Sequence, residues 1–542
     1  MQRQSLMLIA PRSRWLRAEI LAALAGALLF SVSLWGDYVY DDYDIVFLDQ
    51  RMHDPRQWPE LWTQSYFKTG VDNLYRPLVS SSYAFQWWIH GDRPWVFHAI
   101  NLLLHAANCA LVVTLARRVL ARSTSPVATD SPVPLLAGLL FAVHPVHTEA
   151  VVNIVGRAEL MCALGALGAV VLLLGPRLTH RRVLAIFGCF LFALLSKEQG
   201  MLLPLVMLLA GALLCRFEAS ERPPIKILLI LICFTLAGYI VLRENVLNLK
   251  FWWPRGLLDW QQNPLVRPDA DTTLMPVVLL GRYLALLVFP HALSADYGGR
   301  VIGWQVKFAD PYLWIGLATI AMWIATLAFA VIRRQRGLIF LLLGLATFYA
   351  LVSNAGTLIG TIFGERLMYL PSVFFLILIS IPLARMPTRL LVPVAGVLIA
   401  LGCVRSFSYA VVWNDPTTFY EYTLRHQPRS AQAHKMLLMN RMYHNDLDGA
   451  LRVGLLFTGL YPDYHDSWLH TARVLMRLGY FDTARRYIDR SEGVKMNAST
   501  IFARRELAEF RAAAATRPAT QATQVPPPPT TLPAPELRPP NP

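Results

Sequence analysis

The sequence predicts an all-α polytopic membrane protein with a short C-terminal α-solenoid. Of its 542 residues, 55% are hydrophobic and 16% are charged, whereas a soluble protein carries about 25% charged residues. The apolar residues fall in blocks of about 17 to 25 residues, the length with which a helix crosses the hydrocarbon core. The net charge of +15 comes from arginines clustered between these blocks, as in cytoplasmic loops, which disfavours nucleic-acid binding.

The first apolar block covers residues 16–35. It lacks a small-residue cleavage site and exceeds the length of a signal-peptide core, so we interpret it as a retained anchor. Four arginines lie between positions 3 and 17. Because basic residues stay on the cytoplasmic side, residues 1–15 are predicted to be a cytoplasmic N-terminus.

Further apolar blocks alternate with arginine-rich turns. We predict crossings near residues 95–116, 133–146, 157–174, 183–196, 200–215, 225–243, 312–332, 337–353, 367–384 and 390–411. This alternation fits about eleven crossings with the basic turns inside. The block 275–293 contains Arg282 and two prolines. A crossing there would place the later basic turns outside, so we predict a re-entrant or interfacial segment, with a twelfth crossing as the alternative.

These crossings define a transmembrane domain over residues 16–412, with a first outer loop at 37–94 and another outer loop at 244–274. Both loops are rich in tryptophan, for example at Trp252 and Trp253. Such side chains favour the headgroup layer, which predicts helices lying along the membrane surface.

Residues 413–514 contain a repeat. Four residue pairs are each 34 positions apart: Pro428 and Pro462, Leu447 and Phe481, Asp448 and Asp482, and Ala450 and Ala484. This period, with a small residue in the second helix and proline at the repeat end, is the tetratricopeptide signature. We predict two helix pairs over 430–490 and a capping helix at 499–514, which would bind a partner in a concave groove or form a lid on the membrane domain. The proline- and threonine-rich tail, 515–542, is predicted to be disordered.

Charged residues at predicted outer helix ends form the candidate site. Asp41, Asp42 and Asp44 follow the first crossing. Carboxylates at a lipid boundary are costly to desolvate, so their presence there indicates a function. Other motifs on the same predicted side are NLYRPL with Arg76, HAINLLLH with Asn101, FAVHPVHTEAVVNIVGRAEL with His144, His147, Glu149, Arg157 and Glu159, SKEQG with Lys197 and Glu198, and ERLMYLPS with Arg366.

The residue types indicate two kinds of chemistry. Basic side chains beside a bilayer match a lipid phosphate, and carboxylates match a general base or metal ligands. The alternative is that these charges only pair with each other, as Glu365 could with Arg366. His144 and His147 are spaced like zinc ligands, but a third ligand at a suitable spacing is missing, so no metal site is predicted.

Taken in this order along residues 16–490, the motifs resemble the transmembrane and tetratricopeptide-repeat O-mannosyltransferases, which have the multi-spanning GT-C architecture. The resemblance implies transfer of a sugar, mannose in known members, from a polyprenyl-phosphate donor to serine or threonine of an exported protein. The chain departs from the eukaryotic members in its short repeat array and its proline-rich tail.

The resemblance also implies residue roles. A first-loop aspartate is the catalytic base in this architecture, which matches Asp41, with Asp42 second and Asp44 third. One carboxylate suffices for an inverting displacement, and the phosphate leaves without a general acid. For the donor phosphate we predict Lys197 and Arg366, followed by Arg157 and Arg76. For sugar or acceptor positioning we predict Glu159, His147, His144, Glu149, Glu198 and Asn101.

No cofactor is required in this interpretation, although the acidic pair also admits a divalent metal. Two other functions stay open: the same donor with a glycolipid or polysaccharide acceptor, and a non-enzymatic scaffold whose repeats recruit envelope proteins. The absence of a targeting peptide and the short array favour a bacterial inner membrane, with the site and the repeats on the extracytoplasmic side.

Overall fold

A computed structural model of the chain describes residues 12–67, 74–123, 131–247 and 260–515. In these ranges the chain is helical and has no strand. It forms two compact units, Met1–Pro428 and Arg429–Pro542. The predictions for residues 1–11, for Trp252 and Trp253, and for the tail from residue 516 onward lie outside the described residues.

The first unit contains seventeen α-helices in its described ranges. They are α1 (Arg12–Phe30), α2 (Gln50–His53), α3 (Glu60–Thr63), α4 (Pro77–His90), α5 (Pro94–Ala121), α6 (Val133–Val143), α7 (Thr148–Val152), α8 (Arg157–Leu173), α9 (His180–Ser196), α10 (Leu203–Leu214), α11 (Arg222–Leu247), α12 (Met275–Val288), α13 (Pro311–Ile332), α14 (Arg336–Val352), α15 (Tyr369–Leu383), α16 (Thr388–Val412) and α17 (Pro416–His426). The unit therefore extends beyond residue 412, the predicted end of the transmembrane domain.

Every predicted apolar block contains a helix. In the described ranges, seven helices are long and apolar enough to cross a membrane, and an eighth is added if α6 and the bent segment Pro145–Val152 count as one span. Shorter apolar helices occupy Glu198–Leu214, Met275–Val288 and Arg336–Val352. The all-α polytopic fold is confirmed, whereas the count of about eleven crossings stays a prediction.

The bend after α6 positions part of the site. The two helical segments there are inclined by 51°, because Pro145 lacks an amide donor and its ring clashes with the preceding turn. The His144 Nδ1 atom accepts a hydrogen bond from the Val146 amide at 3.2 Å. The chain then continues into the buried helix α7, which carries Glu149.

The first loop, residues 36–93, is fixed by a buried ion pair. The Arg51 Nη2 atom lies 2.6 Å from the Asp49 Oδ2 atom, and both side chains are buried. Arg51 also donates to the carbonyls of Ser65 at 2.9 Å and Tyr66 at 3.1 Å. Arg51, oriented by this ion pair, thereby ties residues 49–51 to residues 65–66.

Helix α4, in the same loop, exposes apolar side chains. They are Phe85, Trp88 and Ile89. A helix with an exposed aromatic side fits the predicted surface helix, whose membrane location stays a prediction.

Helices α12 and α13 cross at two glycines. A Cβ atom on Gly281 would lie 2.0 Å from the Tyr312 carbonyl oxygen, and one on Gly316 would lie 2.0 Å from the Val277 carbonyl oxygen. Small residues allow helix backbones to approach this closely. The block predicted to be re-entrant or interfacial is therefore a helix packed along α13, and whether it crosses the membrane stays a prediction.

The second unit consists of α18 (Ala431–Tyr443), α19 (Leu447–Leu460), α20 (His465–Arg477), α21 (Phe481–Val494) and α22 (Ala498–Ala515). The second hairpin begins each helix 34 positions after its counterpart. Asn445 and Gly479, also 34 apart, both have positive φ, at 59° and 85°. Ala450 and Ala484 are fully buried, which explains the small residue at that position. Two helix hairpins thus follow the predicted offset, and their assignment as tetratricopeptide repeats stays a prediction.

The close approach of α12 and α13 is testable by comparing a glycine-to-alanine substitution in the contact with one outside it. Gly316→Ala is expected to destabilise the protein by about 1 to 3 kcal/mol, since the added methyl overpacks the contact with Val277. Gly396→Ala in α16 is the matched control, because a Cβ atom there meets nothing within 4 Å. Thermal unfolding of the detergent-solubilised variants checks this. Equal stability of the two variants would contradict the proposed packing.

Candidate active site

The chain enters the site through a strained residue. Tyr40 has a φ of 61°, and Asp41 and Asp42 then begin a helical turn that continues as the π-helix Tyr43–Phe47. Strained residues and π-turns are frequent at functional sites. The Tyr420 hydroxyl accepts a hydrogen bond from the Tyr40 amide at 3.1 Å, a contact between distant positions that no sequence motif predicts.

Asp42 is an anchor for this turn. Its Oδ1 atom accepts from the Val155 amide at 2.9 Å, and its Oδ2 atom accepts from the amides of Val39 at 3.2 Å and Ile154 at 3.4 Å. Burial raises the pKa of Asp42 to about 7, although the three amides oppose the shift. With both oxygens bound by backbone, the geometry favours a positioning role for Asp42.

Asp41 is the more accessible of the two carboxylates. Its side chain is 17% exposed, and its Oδ2 atom lies 3.4 Å from both terminal nitrogens of Arg366. Burial raises the pKa of Asp41 and outweighs the opposing effect of Arg366. A carboxylate of raised basicity suits a general base. Asp44, the third prediction, is exposed.

Arg366 links Asp41 to Glu149. The Arg366 amide donates to Glu149 Oε2 at 2.9 Å, and its Nε atom lies 3.4 Å from Glu149 Oε1. The pair of Glu365 with Arg366, the example given for the alternative in which the charges only pair with each other, is not formed. Glu365 accepts instead from the Ser294 amide at 2.6 Å and the Tyr297 hydroxyl at 2.8 Å, because neighbours on this tight turn point in different directions.

Two further ion pairs adjoin these residues. Lys197 and Glu159 form a buried ion pair. Arg76 donates to Glu198 through Nη2 at 2.9 Å and Nε at 3.2 Å. Since Lys197 and Glu198 are consecutive, the two pairs are held side by side.

The three groups of ion pairs form one electrostatic cluster. Arg76 interacts electrostatically with Asp41 and with Glu159, and Arg366 also interacts with Glu159. We call this set the charged cluster; its members are Asp41, Arg76, Glu149, Glu159, Lys197, Glu198 and Arg366. Sequence reasoning selected all seven, and the structure brings them together.

Arg157 and Asn101, also predicted as site residues, are held by protein partners. Arg157 is buried and donates to Asn101 Oδ1 at 3.0 Å, to the Phe97 carbonyl at 3.0 Å and to Ser82 Oγ at 3.3 Å. Asn101 in turn donates to the Asn153 carbonyl at 3.0 Å. These contacts favour a role in holding the turn before α8, and phosphate binding by Arg157 stays a prediction.

His144 and His147 point into the helix bundle. His147 has its two ring nitrogens 2.8 Å from the Phe141 carbonyl and 2.8 Å from Ser372 Oγ. His144 Nε2 lies 2.9 Å from the Leu287 carbonyl. These partners favour structural roles. Within the described ranges, no three histidine, cysteine, aspartate or glutamate side chains are arranged as metal ligands.

The helices and the charged cluster define the class of the protein: a polytopic α-helical membrane protein with paired acids and bases gathered around a short loop turn. Comparison with known proteins identifies its relatives. Human protein O-mannosyl-transferase TMTC2 is 27% identical over 339 residues, covering 58% of this chain and 38% of the human protein. Drosophila melanogaster protein O-mannosyl-transferase Tmtc3 is 37% identical over 162 residues, covering 26% of this chain and 18% of the fly protein.

A third relative extends the match. Caenorhabditis elegans protein O-mannosyl-transferase F38B6.6 is 24% identical over 443 residues, covering 78% of this chain and 60% of the nematode protein. No family model matches the chain. The match to human TMTC2 covers well under half of that protein's length. The homologues of the chain are protein O-mannosyl-transferases, as the sequence motifs predicted.

The different roles of Asp41 and Asp42 are testable by measuring the free energy of unfolding of the two asparagine variants. Asp42→Asn is expected to lower the free energy of unfolding by about 1 to 3 kcal/mol, since an amide nitrogen would face backbone donors. Asp41→Asn is expected to leave it nearly unchanged, because that side chain makes only long contacts to Arg366. Thermal unfolding in detergent measures both variants. The reverse order of stability would contradict the assignment of Asp42 as the anchor.

Proposed function

We propose that the chain is an inverting glycosyltransferase that moves mannose from a polyprenyl-phosphate donor to a serine or threonine hydroxyl of an exported protein. The observation that carries this proposal is the contact of Asp41 with Arg366, inside a cluster that also holds Lys197 and Arg76. The names of the homologues, protein O-mannosyl-transferases, support a protein acceptor.

The reaction follows from the side chains of the cluster. As the acceptor oxygen bonds to the anomeric carbon, its proton passes to the Asp41 carboxylate and the bond from that carbon to the phosphate oxygen breaks. A positioned base of this kind contributes about 10²- to 10⁴-fold to the rate. The electron pair leaves with the lipid phosphate, whose charge is stabilised by Arg366 and Lys197, with Arg76 next to them.

Other members of the site have supporting roles. Glu149, Glu159 and Glu198 orient the three cations through the ion pairs described above, and sugar positioning is proposed for them as a second role. Fixed cations stabilise the leaving phosphate, so no metal cofactor is part of the proposal. The helices of the second unit, α18 to α22, are proposed to bind the acceptor polypeptide, as helical repeats commonly do. The reaction is placed on the extracytoplasmic side of a bacterial inner membrane.

The activity is testable in membranes supplied with polyprenyl-phosphate mannose labelled in the sugar. Label is expected in protein, and Asp41→Asn is expected to lower it at least about 100-fold because the base is lost. Lys197→Ala is also expected to lower it severely by removing fixed positive charge. Asp54→Asn, which alters a surface ion pair with Arg56 in the same loop, is the matched control and should retain activity.

The outcomes separate the candidate functions. Label in lipid or polysaccharide would replace the protein acceptor by a glycolipid or polysaccharide. Unchanged protein labelling in Asp41→Asn and Lys197→Ala would contradict the enzyme proposal and support a scaffold.

The identity of the base is testable by pH. Transfer needs an ionised base, so activity is expected to fall as the pH is lowered through the raised pKa of Asp41, above its ordinary value of 3.8. If Asp42 were the base instead, Asp42→Asn would lose the activity and, with it, this pH dependence. The pH profile of kcat/KM for the wild type and Asp42→Asn distinguishes the two.

A further inference from the structure

Each cation proposed to bind the donor phosphate already has a carboxylate partner. Lys197 is paired with Glu159, and Arg76 donates twice to Glu198. Arg366 differs because its nitrogen donors are shared between two carboxylates. Its backbone amide and Nε atom face Glu149, while its two terminal nitrogens face the proposed base, Asp41.

The contact between Arg366 and Asp41 is long, and unlike the contact with Glu149, which includes a 2.9 Å bond from the Arg366 amide, it has no shorter hydrogen bond beside it. Both of its nitrogen–oxygen distances are 3.4 Å, whereas charge-assisted hydrogen bonds are usually about 2.7 to 2.9 Å. The Arg366 side chain is 23% exposed and that of Asp41 is 17% exposed, while Glu149 is 2% exposed. The terminal nitrogens of Arg366 are therefore the part of this ion pair that can exchange partners at least cost.

The backbones on both sides of this contact are fixed. Asp41 precedes Asp42, whose carboxylate accepts three backbone amides. Arg366 is held at its own amide by Glu149 at 2.9 Å. A change of partner therefore requires only that the end of the arginine side chain rotates.

We infer that the donor phosphate takes the terminal nitrogens of Arg366 away from Asp41, so that binding of the donor releases the base, and that Glu149 is the positioning residue that holds Arg366 during this exchange. The inference rests on the proposed function. Before the donor binds, the Arg366 guanidinium faces Asp41 and makes that carboxylate less basic than burial alone would. Afterwards, the carboxylate is available to the acceptor hydroxyl. Donor binding thus precedes productive acceptor binding.

The inference is tested by donor affinity in the purified full-length protein, with geranyl-phosphate mannose as the probe. Asp41→Asn is expected to bind this donor about three- to tenfold more tightly, because the phosphate no longer competes for an ion pair of modest strength. Glu149→Gln is expected to bind it more weakly. The gain from Asp41→Asn should be smaller in the Glu149→Gln background, which a double-mutant cycle measures.

Removal of a negative charge alone is the rival explanation for tighter binding. Asp54→Asn removes a carboxylate that pairs with the surface residue Arg56 in the same loop, and Asp44→Asn makes the same change at an exposed position three residues after Asp41. Both controls are expected to bind the donor within about twofold of the wild type.

The possible results separate the inference from the proposed function. Unchanged or weaker donor binding in Asp41→Asn, or equal tightening in the controls, would overturn the exchange while leaving the proposed function standing. A wild-type protein that binds no geranyl-phosphate mannose would overturn both.

Discussion

Charges buried in a helical membrane protein must be paired, because an isolated buried charge is strongly disfavoured. This constraint brings together chain segments that are far apart in sequence. Asp41 comes from the first loop, Glu149 from α7 and Arg366 from the turn before α15, yet the three form one set of contacts. The pair of Glu159 and Lys197 joins α8 to the end of α9 in the same way. The ion pairs that join these segments therefore contain the cations proposed to bind the donor phosphate.

Much of the fold could be predicted because it depends on local patterns. Apolar blocks of membrane-spanning length each contain a helix, and helix α6 ends just before Pro145, which has no amide donor. The 34-residue offset reappears in the first residues of the paired helices α18 and α20, and α19 and α21. The charged cluster was also predictable in composition. Acids and bases are rare within apolar sequence, so Asp41 and Arg366 stand out although they are 325 positions apart.

The partners of each side chain could not be predicted, because a pattern gives a residue type and a helix face but not what lies opposite. Arg157 and His147 have the residue types of ligands, yet they bind a carbonyl and a hydroxyl of their own chain. Glu365 and Arg366 are adjacent and bind different partners. The contact of Tyr40 with Tyr420 joins residues 380 positions apart that belong to no shared motif.

The central claim, that the charged cluster receives the donor phosphate opposite the base, is tested most directly by a structure of the protein with a polyprenyl-phosphate mannose bound. We expect the phosphate oxygens to lie about 3 Å from the terminal nitrogens of Arg366 and from Lys197 Nζ. We also expect the Asp41 carboxylate to face the anomeric carbon from the side opposite the phosphate. A phosphate bound away from the cluster, or on the same side of that carbon as Asp41, would contradict it.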